Sequence, residues 1–282
     1  MEKNKSTTAN DTPDTDYYIR MMSVSEPLRK ATLGSAIETL QLPSESRGLD
    51  AGCGIGLQAL LLAEAVGPEG HVTGLDISHE LLLHAQEIVN QSNLAQRISF
   101  RQGDINQLPF DDESFDWVWS TDCAGYSPKE PLPLLKEFAR VVKPGGIVAL
   151  LYWSSQQLLP GYPLLEARLN ATSAGIAPFI HGEQPERHFL RKLGWLRQAG
   201  LVDARARTFV GDVQAPFNDE IREALLALFQ MRWGDAESEV TQGDWAEFQR
   251  LCQPESPDFI LDRPDYYAFF TYTLFYARVK EK

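Results

Sequence analysis

The sequence predicts an α/β fold built on a doubly wound, mostly parallel sheet. Between residues 48 and 153, short apolar segments alternate five times with segments of helical periodicity. This alternation is typical of β-α-β units, in which crossover helices join parallel strands. A glycine-rich turn, GLDAGCGIG at residues 48–56, follows the first apolar segment and opens the first helical one. Such a turn lies at the carboxyl edge of the sheet, where ligands bind.

The first half of the chain contains the clearest elements. Apolar residues recur at helical spacing over residues 17–40, although Pro27 is expected to interrupt any helix there. Residues 48–51 are predicted as the first strand, LQALLLAEAV as a helix and HVTGLD as the second strand. Ser78 is predicted to cap the next helix. The face that this helix should bury comprises Leu81, Ala85, Ile88 and Val89.

The second half continues the alternation. RISFRQGD and FDWVWS are predicted as strands. The next helix should bury Leu134, Leu135, Phe138, Val141 and Val142. The turn KPGG leads from that helix to the strand IVALLYW. GWLRQAGLVDARARTFV is predicted as a helix and a strand, and the aromatic, β-branched YYAFFTYTLFYARVK as a long last strand.

Three regions lie outside this alternation, and we interpret them as additions to the sheet. Residues 1–45 are predicted to form an N-terminal helical cap on a main domain of residues 46–282. Within that domain, residues 154–190 and 213–262 are predicted to be helical lid insertions. Their apolar helical positions are Leu164, Leu165 and Leu169, then Ile221, Leu225, Leu228 and Phe229 after Asn218, then Trp245, Phe248 and Leu251.

The composition argues against several classes of function. Hydrophobic residues make up 43% and charged residues 23% of the 282-residue chain, which is an ordinary globular balance. A formal net charge of −13 disfavours nucleic acid as a partner, because its phosphates would be repelled. The dispersed Cys53, Cys123 and Cys252 indicate neither a disulfide framework nor a metal site. The polar N-terminus and the lack of an apolar run of about 20 residues predict a cytoplasmic protein without a membrane partner.

The glycine turn is predicted to bind a ligand. Gly52, Gly54 and Gly56 lack a Cβ, so a ligand could approach their backbone closely. The helix that follows presents unpaired N–H groups to an anion. Leu57 stands where a dinucleotide-binding turn would have its third glycine, and Asp50 would bring a negative charge close to a pyrophosphate. The turn therefore fits a ligand with an ammonium group better than a dinucleotide.

Acidic and polar residues end the next strands at the same edge. Asp76 closes the second strand about 20 residues after the glycine turn, where an acid can accept hydrogen bonds from both hydroxyls of a ribose. Asp104 follows the third strand and could accept a hydrogen bond from an exocyclic amine, with a turn-forming role as the competing interpretation. Ser120 and Thr121 end the fourth strand. In this order the positions suit an amino acid, a ribose and an adenine.

Four motifs occur in an order that resembles a known family. LDAGCGIG, GLDIS, GDINQLPFDDESFDWVWS and VVKPGGIVAL resemble the class I S-adenosylmethionine-dependent methyltransferases over about residues 46 to 155. The likeness is greatest to the subgroup that includes the ubiquinone and menaquinone biosynthesis C-methyltransferases. The resemblance implies a Rossmann-like sheet with a final antiparallel strand, helical lids, and S-adenosyl-L-methionine as the cofactor.

The resemblance also implies roles for individual residues. Asp50 and the three glycines belong to the motif that binds the methionine part of the cofactor. Asp76 matches the acid that binds the ribose, and Asp104 the acid that contacts the adenine amine. Tyr17–Tyr18 stand where an N-terminal segment often closes over the cofactor. The cofactor-binding candidates are Tyr18, Asp50, Gly52, Cys53, Gly54, Gly56, Asp76, Ile77, Asp104, Ile105 and Ser120.

Methyl transfer from a sulfonium is an in-line displacement, so much of the catalysis is positioning. An acceptor that holds its proton would also need a general base, for which Asp122, Tyr126, His181 and His188 are candidates. We expect a small, partly apolar acceptor and a monomer or homodimer. The aromatic residues that could line an acceptor pocket, or form a secondary core instead, are Tyr162, Phe179, Phe217, Phe229, Trp233, Trp245 and Phe248.

Three alternatives remain open at the level of sequence. The first is an NAD(P)-dependent oxidoreductase, which Leu57 and Asp50 disfavour. The second is a cofactor-binding protein of the same fold that performs no turnover. The third is a metalloid methyltransferase, which would need clustered thiolates that three dispersed cysteines do not supply.

Overall fold

The computed structural model describes residues 15–123, 131–176 and 188–282 of the chain. The strands of these residues are β1 (Arg47–Ala51), β2 (His71–Asp76), β3 (Ile98–Gln102), β4 (Phe115–Thr121), β5 (Val142–Gln157), β6 (Val202–Gln214) and β7 (Tyr267–Arg278). The α-helices are α1 (Thr15–Leu40), α2 (Leu57–Ala65), α3 (His79–Asn90), α4 (Pro131–Val141), α5 (Pro163–Asn170), α6 (Ser173–Ile176), α7 (Lys192–Gln198), α8 (Asp219–Trp233) and α9 (Gln242–Cys252).

The strands form one sheet in the order β3-β2-β1-β4-β5-β7-β6. β1 to β5 run parallel to one another. β7 lies antiparallel between β5 and β6. The predicted doubly wound, mostly parallel sheet with a final antiparallel strand is therefore confirmed. The chain order reverses beside β1, between β1 and β4, and ligands of such sheets bind at this switch point.

Helices cover both faces of the sheet, with an apolar core under each layer. On one face, α1, α2 and α3 contribute Leu33, Leu62 and Val89 to the core. On the other face, α4 and α7 contribute Phe138 and Leu196. α5, α8 and α9 extend the first of these cores. Because both faces are covered, the strand ends at the carboxyl edge are where a small ligand can reach the sheet.

α1 is continuous, so the prediction that Pro27 interrupts it is wrong. A proline inside a helix removes one hydrogen bond and costs about 3 kcal/mol. That cost is outweighed because α1 packs against α2, α8 and β6, and burial of each large aliphatic side chain contributes about 1.5–3 kcal/mol. The buried residues of α1 are Ser25, Leu28, Thr32, Leu33, Ala36, Ile37 and Leu40.

β5 differs from its prediction at both ends. Val142, predicted as the last buried position of a helix, is the first residue of β5 and pairs with β4. Gly145, at φ 78°, bends the chain within KPGG, and its amide donates to the carbonyl of Val279 at 2.9 Å. At the other end β5 continues to Gln157 because β7 pairs with it that far. The partner strands, rather than the local pattern, determine where β5 begins and ends.

Polar side chains cap α3, as predicted, and α8. Ser78 accepts a hydrogen bond from the amide of Leu81 at 3.3 Å and so caps α3. Leu82, rather than Leu81, is buried by this helix together with Ala85 and Val89. Asn218 caps α8 in the same way. None of the helices in the described ranges is long and apolar enough to cross a bilayer.

Candidate functional site

The glycine turn between β1 and α2 has a left-handed backbone at three positions. The φ angles are 79° at Gly52, 52° at Gly54 and 77° at Gly56. In this region a residue with a Cβ is less stable than glycine. The amides of Gly52 and Cys53 both donate to the carbonyl of Leu75, at 2.7 and 3.0 Å. The end of β2 therefore holds the turn in place.

The three glycines have different neighbours. A Cβ at Gly52 would overlap the side chain of Cys123. A Cβ at Gly56 would lie 2.9 Å from Phe100, within the fold. A Cβ at Gly54 would approach only the flexible side chain of Met22, with its Sδ at 3.1 Å. Packing within the fold explains why glycine is needed at positions 52 and 56. At Gly54 the nearest neighbour is the flexible side chain of Met22, which can move aside.

Asp76 ends β2 with its carboxylate against the glycine turn. Its Oδ2 accepts a hydrogen bond from the amide of Gly54 at 2.9 Å. Its Oδ1 accepts one from the amide of Ser78 at 3.0 Å. The predicted ribose-binding acid and the predicted methionine-binding turn are therefore in direct contact.

Asp50 lies in β1, 1% exposed, below the same turn. Its Oδ2 is buried and has no hydrogen-bond partner. Burial, and secondarily the negative charge of Asp76, raise the pKa of Asp50 to about 8. A buried acceptor without a donor is unfavourable, so this oxygen suits a ligand that brings a cationic donor.

Two thiols border the turn. Burial raises the pKa of Cys53 well above its ordinary value. Burial also raises the pKa of Cys123 to about 12, and the charges of Asp76 and Asp50 contribute. Both thiols therefore stay protonated at neutral pH, and protonated thiols are poor nucleophiles and metal ligands. No group of acidic, histidine or cysteine residues that could hold a metal ion occurs in the part of the chain that the structure describes.

The residues that follow β2 and β3 form the next part of the edge. Ile77 follows Asp76 directly and is 68% exposed. Ile105 is half-buried. Asp104 uses Oδ1 to accept hydrogen bonds from the amide of Asn106 at 2.8 Å and from its side-chain nitrogen at 2.7 Å. An exposed isoleucine beside two carboxylates is a surface that a flat, apolar ring could cover.

Two predicted residues have other surroundings. Ser120 is buried, and its hydroxyl donates to the carbonyl of Ala51 at 2.7 Å, which joins β4 to β1. Tyr18 is 53% exposed on α1. The residue of α1 that approaches Gly54 is Met22, which the sequence pattern did not identify. Only the tertiary placement of α1 reveals it.

Of the four candidate general bases, Asp122 and His188 lie within the described residues. Both carboxylate oxygens of Asp122 accept hydrogen bonds, from the amide of Trp153 at 2.8 Å and from the hydroxyl of Tyr272 at 3.0 Å. His188 accepts a hydrogen bond from the amide of Leu190 through Nδ1, and burial lowers its pKa. Tyr126 and His181 lie outside the described residues.

The predicted aromatic residues of the insertions pack mainly on one another. Phe229, Trp233 and Phe248 are buried in the core that α8 and α9 extend. Tyr162, Phe217 and Trp245 are partly buried against it. Phe179 is outside the described ranges. The six described residues therefore form a secondary core, which was the alternative to their lining an acceptor pocket.

A different set of aromatic residues lies near the carboxyl edge. The ring of Trp153 in β5 stacks on Phe270 of β7 at 4.6 Å and meets Tyr272 edge-on at 5.4 Å. The guanidinium of Arg232, at the end of α8, lies 5.1 Å over the Trp153 ring. All three rings are buried in the core, beside Asp122 and two to three strands from the glycine turn.

Comparison with known proteins gives consistent matches. A family profile described as a methyltransferase domain matches residues 49–146. The chain is similar to a demethylmenaquinone methyltransferase of Staphylococcus aureus, with 32% identity over 187 residues, 60% of this chain and 73% of the relative. It is also similar to a demethylmenaquinone methyltransferase of Listeria welshimeri, with 37% identity over 131 residues, 44% of this chain. That match spans about half of the relative, 53% of its length.

Among solved structures, the chain resembles phosphoethanolamine N-methyltransferase 2 of Haemonchus contortus in complex with S-adenosyl-L-methionine. The TM-score is 0.54 at 19% identity, and the match covers 97% of this chain and 59% of that one. At this identity the likeness concerns the fold.

Proposed function

Because this chain belongs to the class I S-adenosylmethionine-dependent methyltransferases, we propose that it transfers the methyl group of S-adenosylmethionine to a small, partly apolar acceptor. One observation carries the proposal. The unpartnered Oδ2 of Asp50 lies buried below a turn whose Gly54 is covered only by a movable side chain. An amino acid with a free ammonium group supplies the donor that this oxygen lacks.

The described residues fit S-adenosylmethionine along its length. Gly54 gives the amino-acid part close access to the backbone. Asp76, at the end of β2, suits the ribose hydroxyls. Ile77, with 68% of its surface exposed, offers an apolar contact to the adenine ring. Asp104 follows β3 in the position for the adenine amine, and Cys53, Ile105, Ser120 and Tyr18 remain proposed neighbours of the cofactor.

When bound, S-adenosylmethionine supplies a methyl group on a positively charged sulfur, which makes that carbon electrophilic. The protein must then hold the acceptor in line with this carbon and exclude water from it. The raised pKa values of Cys53 and Cys123 keep both thiols protonated. Neither thiol therefore competes with the acceptor as a nucleophile.

The proposed acceptor is a small aromatic molecule such as a quinol. The relatives named demethylmenaquinone methyltransferases support this class. The net charge of −13 argues against a nucleic-acid acceptor.

The cofactor site is tested by replacing Asp76. Asp76→Ala removes the acceptor proposed for the ribose hydroxyls, and hydrogen bonds to a charged group are worth ~1.5–3 kcal/mol. We expect the dissociation constant of S-adenosylhomocysteine, measured by calorimetry, to rise roughly 10- to 150-fold.

Two controls make this test specific. Asp111→Ala removes an exposed carboxylate that is not among the proposed site residues and should leave the dissociation constant unchanged. Asp76→Asn keeps one oxygen acceptor for the Gly54 amide, so it should retain the fold of the turn while it still weakens binding. Unaltered binding by folded Asp76→Ala would contradict the assignment.

A further inference from the structure

A chain of polar contacts links α1 to the carboxyl edge, outside the residues proposed to bind the cofactor. The hydroxyl of Tyr272, on β7, donates to Oδ2 of Asp122 at 3.0 Å. The guanidinium of Arg29, on α1, interacts electrostatically with Tyr272 and Asp122, and its Nε has no hydrogen-bond partner among the described residues. Arg29 Nη2 also donates to the carbonyl of Met22 at 3.2 Å. Helix, last strand and end of β4 therefore meet at one cluster.

Asp122 is held in an unusual backbone conformation. Its φ is 46°, which is left-handed and uncommon for a residue with a Cβ. The pairing of β4 with β5 ends at Leu151, whose carbonyl accepts the amide of Asp122 at 2.9 Å. The Asp122 side chain then takes the next free amide of β5, that of Trp153, at 2.8 Å. Such strain persists where surrounding contacts hold it, and it concentrates at functional sites.

The two ends of the cluster both reach the glycine turn. Cys123 follows Asp122 and fills the space beside Gly52 that a Cβ would need. Met22, two helical turns before Arg29, covers Gly54 with its Sδ 3.1 Å from the position of a Cβ. α1 therefore contacts the turn directly through Met22 and indirectly through Arg29, Tyr272 and Asp122.

We propose that Arg29, Tyr272 and Asp122 are positioning residues that couple the placement of α1 to occupation of the glycine turn. The inference rests on the proposed function, because the occupant is the cofactor. A group that binds against Gly54 displaces or reorders Met22, and Met22 shares α1 with Arg29. The link through Tyr272 and Asp122 then lets α1 and the end of β4 respond together. Tyr272 is buried and its partners are partly buried, so loss of the Tyr272 hydroxyl removes a bond that water replaces less readily than at the surface.

The inference assigns Asp122 a positioning role, which is separate from its candidacy as a general base. Each of its carboxylate oxygens already accepts a hydrogen bond, and Arg29 supplies the nearby positive charge. A base must be within reach of the proton that it removes. The Trp153 amide and the Tyr272 hydroxyl both donate to Asp122, so its carboxylate holds β5 and β7 in position at the end of β4.

Tyr272→Phe tests the coupling, since it deletes one hydroxyl and keeps the ring packed between Trp153 and Phe270. Tyr266→Phe is the matched control, because Tyr266 is also buried and donates one hydrogen bond, to the carbonyl of Leu158 at 3.1 Å. The probe is S-adenosylhomocysteine. Its dissociation constant is measured by calorimetry, and the protection of α1 amides by hydrogen exchange with and without it.

We expect S-adenosylhomocysteine to protect α1 in the unmodified protein. In Tyr272→Phe the dissociation constant should rise roughly 3- to 10-fold, as for one buried hydrogen bond, and the added protection of residues 15–30 should be lost. Tyr266→Phe should behave as the unmodified protein in both measurements. A purely structural role for Tyr272 would lower the melting temperature without changing the response of α1 to the ligand.

The outcomes separate the two proposals. If the unmodified protein does not bind S-adenosylhomocysteine, the proposed function fails and this inference fails with it. If it binds and Tyr272→Phe shows the same affinity and the same protection of α1, only the coupling is overturned. Should Tyr272→Phe not fold, Asp122→Asn is judged by the same two measurements, because its amide cannot accept both hydrogen bonds.

Discussion

Asp50 is the residue whose protonation depends most directly on what occupies the glycine turn. In the structure its pKa is raised to about 8 by burial and then by the charge of Asp76. The carboxyl is therefore mainly neutral at pH 7. A ligand ammonium beside it would favour the ionised form and lower this pKa. Binding of the cofactor should therefore release a proton below pH 8.

This release is measured by calorimetry of S-adenosylmethionine binding at pH 7 in two buffers with different ionisation enthalpies. We expect the apparent binding enthalpy to differ between the buffers, and the difference to disappear at pH 9 and in Asp50→Asn. Equal enthalpies in both buffers at pH 7 would show that Asp50 does not titrate on binding.

Lys192 is a second residue with unusual surroundings. It is 1% exposed, with Nζ 4.4 Å from the ring centre of Trp195 and 4.8 Å from that of Tyr152. No carboxylate of the described residues pairs with it. Burial lowers its pKa to about 7 from an ordinary value of 10.5. Between these values the unfolded chain binds a proton that the folded chain does not, so stability rises with pH from 7 to about 10.

Lys192→Met should therefore stabilise the fold near and below pH 7 by about 1–4 kcal/mol, because a buried charge is replaced by an apolar chain of similar size. The rise in stability between pH 7 and 10 should flatten in this variant. Urea unfolding at several pH values measures both effects, with Lys136→Met, exposed on α4, as the control. A less stable Lys192→Met, or an unchanged pH slope, would mean that the ammonium is well accommodated.

The sequence predicted where the acidic residues of the site lie, but it did not predict which side chains contact the glycine turn. Asp50 and Asp76 lie at the strand ends where the β-α-β pattern predicts them, because the change from strand to helix periodicity marks these two ends in the sequence. Met22 and Cys123 could not be found in this way, because each meets a glycine that is distant along the chain. The predicted binding role of each site residue stays a prediction that the variants above test.

At the scale of elements, the strand and helix order was predictable because the alternation of periods is strong. The predictions of α1 and β5 were wrong where a neighbouring helix or strand determines how far the element extends. α1 passes through Pro27 because α2, α8 and β6 bury one side of it. β5 extends past Trp153 because β7 pairs with it to Gln157. Local propensity contains no information about such partners.

The proposed second lid, residues 213–262, also depends on its partners. Its α8 packs along α1, and Leu225, Trp233 and Leu251 belong to the same core as the strands. A helix that supplies core residues cannot be removed without loss of stability. The predicted role of this region as a lid is therefore better tested by single substitutions than by deletion.

The whole molecule combines a sheet covered by helices on both faces with an open carboxyl edge and a strongly negative net charge. The net charge of −13 attracts a cationic cofactor and repels polyanions. α1 lies on one face of the sheet and reaches the edge through Met22 and Arg29. The predicted cap helix therefore reaches the edge of β1 at which we propose that the cofactor binds.

Transfer of an isotopically labelled methyl group tests the central claim most directly. The protein is incubated with S-adenosylmethionine that carries a deuterated methyl group and with demethylated quinols, other small aromatic acceptors, tRNA, DNA and protein, each in a separate reaction. Mass spectrometry then locates the label. The account predicts label on a small aromatic acceptor, and none with folded Gly54→Val, whose side chain would occupy the cofactor's place against a left-handed backbone. Label found only on nucleic acid or protein, or cofactor binding without transfer to any of these acceptors, would contradict it.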